Sequence, residues 1–128
     1  MLLCAWKFAG NTWIPEQHKG YLLLYTAADN NNTKTYCAFI DEGMAKVKTF
    51  FKTAYKTSFN IYIHPNRQSL DSTWQKDWAM PGFKSECWMV ASGVAQRLDM
   101  ISPKTWDTAS CEHRYAETEK TKQLVTIH

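Results

Sequence analysis

The residues best suited to nucleophilic or metal chemistry are four cysteines and four histidines. Cys4, Cys37, Cys87 and Cys111 include no pair at C-x-x-C spacing, so a zinc ribbon or a thioredoxin-like motif has no support. An even count is compatible with disulfides, whose pairing spacing alone leaves open. Cys87 and Cys111 flank a two-strand segment and could pair in an oxidising compartment; two buried thiols are the alternative. Cys111-Glu112-His113 groups three ligand types, but a metal would need a second pair, and none is evident. His18, between Gln17 and Lys19, reads as a surface residue. His64, before Pro65 at a strand end, reads as structural or surface-lying. The five glycines stand singly, so there is no phosphate-cradling loop, and no G-x-S-x-G elbow is present. Of six tryptophans, Trp74, Trp78, Trp88 and Trp106 fall in the second half. Such side chains fill cores more often than they line grooves. Trp106, after Pro103, is the best candidate for an exposed platform.

These residues sit in a chain of 128 residues, 45% hydrophobic and 21% charged. That is one domain's length, and a chain of this size buries roughly two thirds of its extended surface. A packed core is therefore available, and a disordered polar tract is excluded. The longest apolar run, Tyr21-Leu22-Leu23-Leu24-Tyr25, is strand-sized, far below the ~18 residues of a membrane span. A net charge of +3 is too small to argue for nucleic acid. Lys46, Lys48, Lys52 and Lys56 read as a solvated helix face. The start lacks the charged and apolar regions of a signal peptide. The expectation is a cytoplasmic chain, or a secreted or periplasmic one if an export signal is missing.

The elements that must position these groups follow from periodicity. Gly20 to Thr26 reads as a strand apolar on both faces. Asp29-Asn30-Asn31-Asn32-Thr33-Lys34 reads as an exposed turn. Ala38 to Tyr55 has helical spacing, with Ile40, Met44, Val47, Phe51 and Ala54 forming one stripe. Ser58 to His64 alternates, placing Phe59, Ile61 and Ile63 opposite Asn60, Tyr62 and His64. Ser69 is the expected cap of a short helix through about Trp78. Glu86 to Ala91 and Gln96 to Ser102 read as strands around a bend at Ser92-Gly93. Lys104 to Tyr115 reads as irregular. Ala116 to His128 opens a helix, with Leu124, Val125 and Ile127 becoming apolar just before His128. The sharper reading of that position is a chain cut inside a helix.

Three segments in this order carry a resemblance. Phe59-Asn60-Ile61-Tyr62-Ile63-His64-Pro65-Asn66-Arg67-Gln68-Ser69-Leu70 is a strand entering a helix. Ala91-Ser92-Gly93-Val94-Ala95 and Met100-Ile101-Ser102-Pro103-Lys104-Thr105-Trp106 form a sheet-edge segment. Leu124-Val125-Thr126-Ile127-His128 opens a helix. Over roughly residues 38–128 this resembles the N-terminal part of a gluzincin-type, peptidase MA-like zinc metallopeptidase domain. The resemblance implies a helix carrying His-Glu-x-x-His, whose two histidines at i and i+4 hold one zinc while the Glu activates a zinc-bound water. Only His128 matches, as the first His; the Glu, the second His and the third ligand have no counterpart in these residues. The resemblance also implies an edge strand that binds an extended peptide substrate through its backbone. Either Gln96 to Ile101 or Trp88 to Ser92 would be that edge.

The expected fold is α+β: a small mixed sheet packed by an N-terminal amphipathic helix, with a C-terminal helix begun at the chain end, like a zincin N-subdomain. Residues 1–37 form an N-terminal strand and loop region, and residues 38–128 the zincin-like part. Zinc is the implied cofactor, with His128 as ligand, and Trp88, Ser92, Gly93 and Trp106 are the implied cleft residues. The implied partner is a peptide or protein substrate, and this chain is not expected to bind zinc tightly or to cleave peptides. The alternative is a non-catalytic peptide- or glycan-binding module with an aromatic surface.

Overall fold

A computed structural model describes residues 7–8, 11–52 and 57–111. Cys4, Lys56, Glu112, His113 and the helix expected over 116–128, including His128, lie outside the described residues. The strands β1 (Lys7–Phe8) and β2 (Asn11–Thr12) form a two-residue antiparallel ladder. β3 (Ile14–His18) and β4 (Tyr21–Tyr25) make an antiparallel hairpin closed at Gly20, whose φ of +93° suits glycine. A Cβ there would also meet the Met44 Cε at 2.9 Å. After a 3-10 turn at Ala27–Asp29, α1 spans Thr33–Phe51. β5 (Phe59–His64), α2 (Arg67–Lys76), β6 (Ala91–Val94) and β7 (Arg97–Ile101) follow. A 3-10 turn at Pro103–Thr105 leads into the single turn α3 (Trp106–Ala109).

The α+β expectation is met by a five-stranded mixed sheet in the order β3-β4-β5-β7-β6. β4, β5 and β7 are parallel, and β3 and β6 are antiparallel to their single neighbours. Parallel neighbours need long crossovers. Here α1 and α2 supply them and cover opposite faces. Tyr21, Leu23, Ile61, Ile63 and Met100 share one face and pack with Tyr36, Cys37 and Ile40 of α1. The other face carries Tyr62, His64 and Asp99, and α2 is tied to it by the His64–Ser69 and Trp74–Ser92 hydrogen bonds. β3 and β4 belong to this sheet, so residues within 1–37 and within 38–128 share one core.

The structure corrects several expectations. α1 starts at Thr33 rather than Ala38, because burial begins with Tyr36 and Cys37. Its expected stripe holds through Ile40 and Met44, whereas Val47 and Phe51 are exposed; Ala54, its last member, lies outside the described residues. The polar 29–34 segment is not wholly exposed: Asp29 is fully buried and accepts hydrogen bonds from Tyr36 Oη and Ser102 Oγ. The cap of α2 is Asn66, whose side chain accepts from the Ser69 N–H; Ser69 lies inside the helix. The strand expected at Glu86 to Ala91 begins only at Ala91, and Ser92-Gly93 lies within it instead of bending it. The turn falls at Ala95-Gln96, with Ala95 at φ +53°.

Candidate functional site: an open sheet edge and two polar clusters

The sheet order makes β6 an outer strand, which shares only Ala91 and Ser92 with the expected Trp88 to Ser92 segment, while Gln96 to Ile101 falls largely on the inner strand β7. β6 pairs only with β7 among the described strands, whereas β7 lies between β6 and β5. In the β6–β7 ladder Val94 faces Arg97 across a two-residue turn, and Ile101 N–H donates to Val90 O. Hydrogen-bonded and non-bonded pairs alternate in such a ladder. The Ala91 and Gly93 backbone groups therefore point away from β7, along the outer edge. β6 carries no proline or charge to block that edge. The opposite edge, β3, contains Pro15, Glu16 and His18, features that discourage strand addition.

Beside β6 lies a cleft of about 440 Å³, lined by Thr57, Phe59, Ala91, Ser92, Gly93, Ala95, Gln96, Arg97 and Leu98. Ser92 and Gly93 are among its lining residues. Trp88 precedes the strand and is 53% exposed. Trp106 does not form the exposed platform expected of it. It is 1% exposed, fills the core, and donates from Nε1 to Ile101 O. The cause is local: Pro103 starts a 3-10 turn that folds the indole inward instead of leaving a loop.

The segment before β6 is held by Arg67, a residue that no sequence motif singles out. Its guanidinium donates to Ser85 Oγ at 2.9 Å, Glu86 O at 2.8 Å, Cys87 O at 3.0 Å and Met89 O at 2.7 Å. Its Nε and Nη2 also reach Ala109 O. Cys87 and Cys111 form a disulfide across the same region. Cys111 is therefore not a thiolate ligand beside Glu112 and His113. The Asn66 cap fixes the start of α2, placing Arg67 at its first turn, where one rigid fork can collect several carbonyls.

His64 is wholly buried, with Nδ1 2.7 Å from Ser69 Oγ and Nε2 2.7 Å from Asp99 Oδ1. Ser, His and Asp in a row suggest a nucleophilic triad, but Ser69 is 8% exposed and the cleft lies elsewhere. The row is a structural network. Arg97 donates to both Asp99 oxygens, pairs with Asp77 at 2.9 Å, and lies 3.9 Å over the Tyr62 ring. Burial alone would lower the Arg97 guanidinium, but hydrogen bonding to Asp99 and its charge raise it instead.

A second cluster corrects the surface reading of His18. His18 and Glu16, two apart on β3, project to the face covered by α1 and meet Cys37 there. His18 Nε2 is 2.8 Å from Glu16 Oε1 and 3.2 Å from Cys37 Sγ, and Tyr21 stacks on its ring at 4.9 Å. Burial pushes the Cys37 thiol up, offset in part by Tyr21 and reinforced by Glu16 and Asp41. Burial likewise raises the Tyr21 hydroxyl, helped by Cys37 and Asp41. A spacing of two on one strand is the only sequence signal for this cluster, and it covers Glu16 and His18 alone; the helix crossover brings Cys37 to them. No helix among the described residues is long and apolar enough to cross a membrane. Comparison with protein-family models, curated proteins and solved structures gives no match for this chain.

Proposed function

We propose that this chain is the substrate-edge part of a zinc-dependent, peptidase MA-like metallopeptidase domain, in which β6 receives an extended peptide. The observation that carries this reading is the unblocked outer edge of β6, with Ala91 and Gly93 backbone groups directed outward beside a cleft. An extended peptide laid antiparallel or parallel to β6 would pair with those groups, while Ser92, Gln96 and Leu98 meet its side chains. The order of segments that carries the resemblance, ending on His128, supplies the zinc part of the proposal.

The described residues include no match to that zinc site's ligands. His128 is the one match to its ligands, and it lies outside the described residues. The one His, Cys, Asp and Glu group among the described residues that could hold an ion lies between β3 and α1, at the far edge of the sheet from β6. The role proposed for the described residues is therefore peptide docking. The Cys87–Cys111 disulfide supports an oxidising compartment, secreted or periplasmic.

Hydrogen exchange tests the docking role. With an excess of unstructured peptides from a casein digest, the Ala91 and Gly93 amides should become protected. Gly93→Pro removes one outward donor at an edge position that tolerates proline, and should abolish that protection while leaving β7 unchanged. Unaltered exchange at both amides in the unmodified chain counts against the reading. A second reading, a non-catalytic glycan-binding module, is favoured by the exposed Trp88. It predicts quenching of Trp88 fluorescence by oligosaccharides and its loss in Trp88→Ala.

A further inference from the structure

We propose that Glu16, His18 and Cys37 form a three-ligand binding site for one zinc ion, joining β3 to α1. Their ligand atoms all lie within 4.8 Å of one another. The separate distances are 2.8 Å for Glu16 Oε1 to His18 Nε2, 3.2 Å for His18 Nε2 to Cys37 Sγ, and 3.9 Å for Cys37 Sγ to Glu16 Oε1. Zinc lies roughly 2.0–2.3 Å from N, O and S ligands, so tetrahedral ligand atoms stand about 3.3–3.5 Å apart. The three distances bracket that value, and seating the ion takes shifts of about half an ångström, within a side-chain rotation.

Hydrogen bonding alone satisfies this triangle poorly. A neutral imidazole nitrogen carries either a proton or a lone pair. With the proton on Nε2, Glu16 is served, and the Cys37 thiol proton is left to the same carboxylate oxygen at a long 3.9 Å. With a lone pair on Nε2, the thiol is served and the lone pair faces a carboxylate oxygen at 2.8 Å. A cation at the centre satisfies all three, and binding expels the thiol proton to solvent. Thiolate with imidazole selects zinc over magnesium or calcium. Tyr21, stacked on His18 with rings 10° from parallel, holds the imidazole in place. The side chains of His18 and Glu16 are 24% and 36% exposed, leaving an entry path and a fourth position for water. The site lies on the strand at the opposite edge of the sheet from β6, so it pins a hairpin to a helix and takes no part in peptide docking.

The test uses the 128-residue chain, stripped with chelator and titrated with Co²⁺ as a spectroscopic probe and then with Zn²⁺. One Co²⁺ per chain should give a thiolate-to-metal charge-transfer band, displaced by one equivalent of Zn²⁺. Cys37→Ser should abolish the band. His18→Asn, checked for folding by circular dichroism, should weaken zinc binding by more than about 100-fold, since even changes outside the ligand shell cost roughly 10–100-fold. His128→Ala should leave both unchanged, which separates this site from the proposed peptidase zinc. Absence of the band in the unmodified chain overturns the proposal. So does a band kept in Cys37→Ser, lost in Cys4→Ser, or lost in His128→Ala.

Discussion

At the scale of single residues, Asp99 has the largest structural consequence outside the apolar core. It is 2% exposed and takes hydrogen bonds from both His64 and Arg97. Removing one member of a buried charged network leaves its partners uncompensated, at a cost of about 3 kcal/mol or more. Asp99→Ala should lose that much stability in urea unfolding, and a loss under ~1 kcal/mol would show that the network is not the tie between α2 and the sheet. Little of this is legible in the sequence. His64 stands out there only as a histidine before a proline, for which a structural or surface role is the natural reading. Its partners, 5 and 35 residues away, meet it only through the α2 crossover and the β5–β7 register. Trp106 misleads for the opposite reason. A tryptophan after a proline in a polar stretch reads as exposed, yet a 3-10 turn buries it.

At the scale of elements, the loop leading into β6 depends on two ties from different parts of the chain. Arg67 collects the carbonyls of Glu86, Cys87, Met89 and Ala109, and the Cys87–Cys111 disulfide closes a 24-residue separation. By loop-closure entropy a bridge over such a span is worth about 3 kcal/mol. Reduction, or Cys87→Ser with Cys111→Ser, should lower stability by about that amount. Arg67→Lys keeps the charge and loses the fork. It should raise hydrogen exchange over residues 85–90 while leaving β4 and β5 protected; unchanged exchange there would show that Arg67 does not hold the loop. Strand β5 is readable because its two faces alternate cleanly. Other elements are displaced by a few residues where polar residues meet tertiary burial, as at Thr33 to Cys37. Spacing of the cysteines leaves the disulfide open, since pairing depends on where α3 returns.

For the whole molecule, sheet order decides what the sequence leaves open. Alternating apolar residues establish strands but not which strand has a free side, and β6 is the edge because β7 inserts next to β5. The two edges differ in chemistry. β3 is blocked by Pro15 and carries Glu16 and His18 of the cluster completed by Cys37 of α1, while β6 is open beside a cleft. Zinc at the β3 cluster should raise the melting temperature of the chain, because binding to the folded form alone adds stability, and Cys37→Ser should remove that rise. The proposed peptide-docking role of β6 and the proposed metallopeptidase reading are tested most directly by one measurement. The protein expressed from the whole reading frame that contains this chain is assayed for zinc-dependent peptide cleavage, with His128→Ala and Gly93→Pro alongside. The expected result is cleavage that chelator and His128→Ala abolish and that Gly93→Pro reduces. No cleavage, or cleavage that His128→Ala leaves intact, would contradict it.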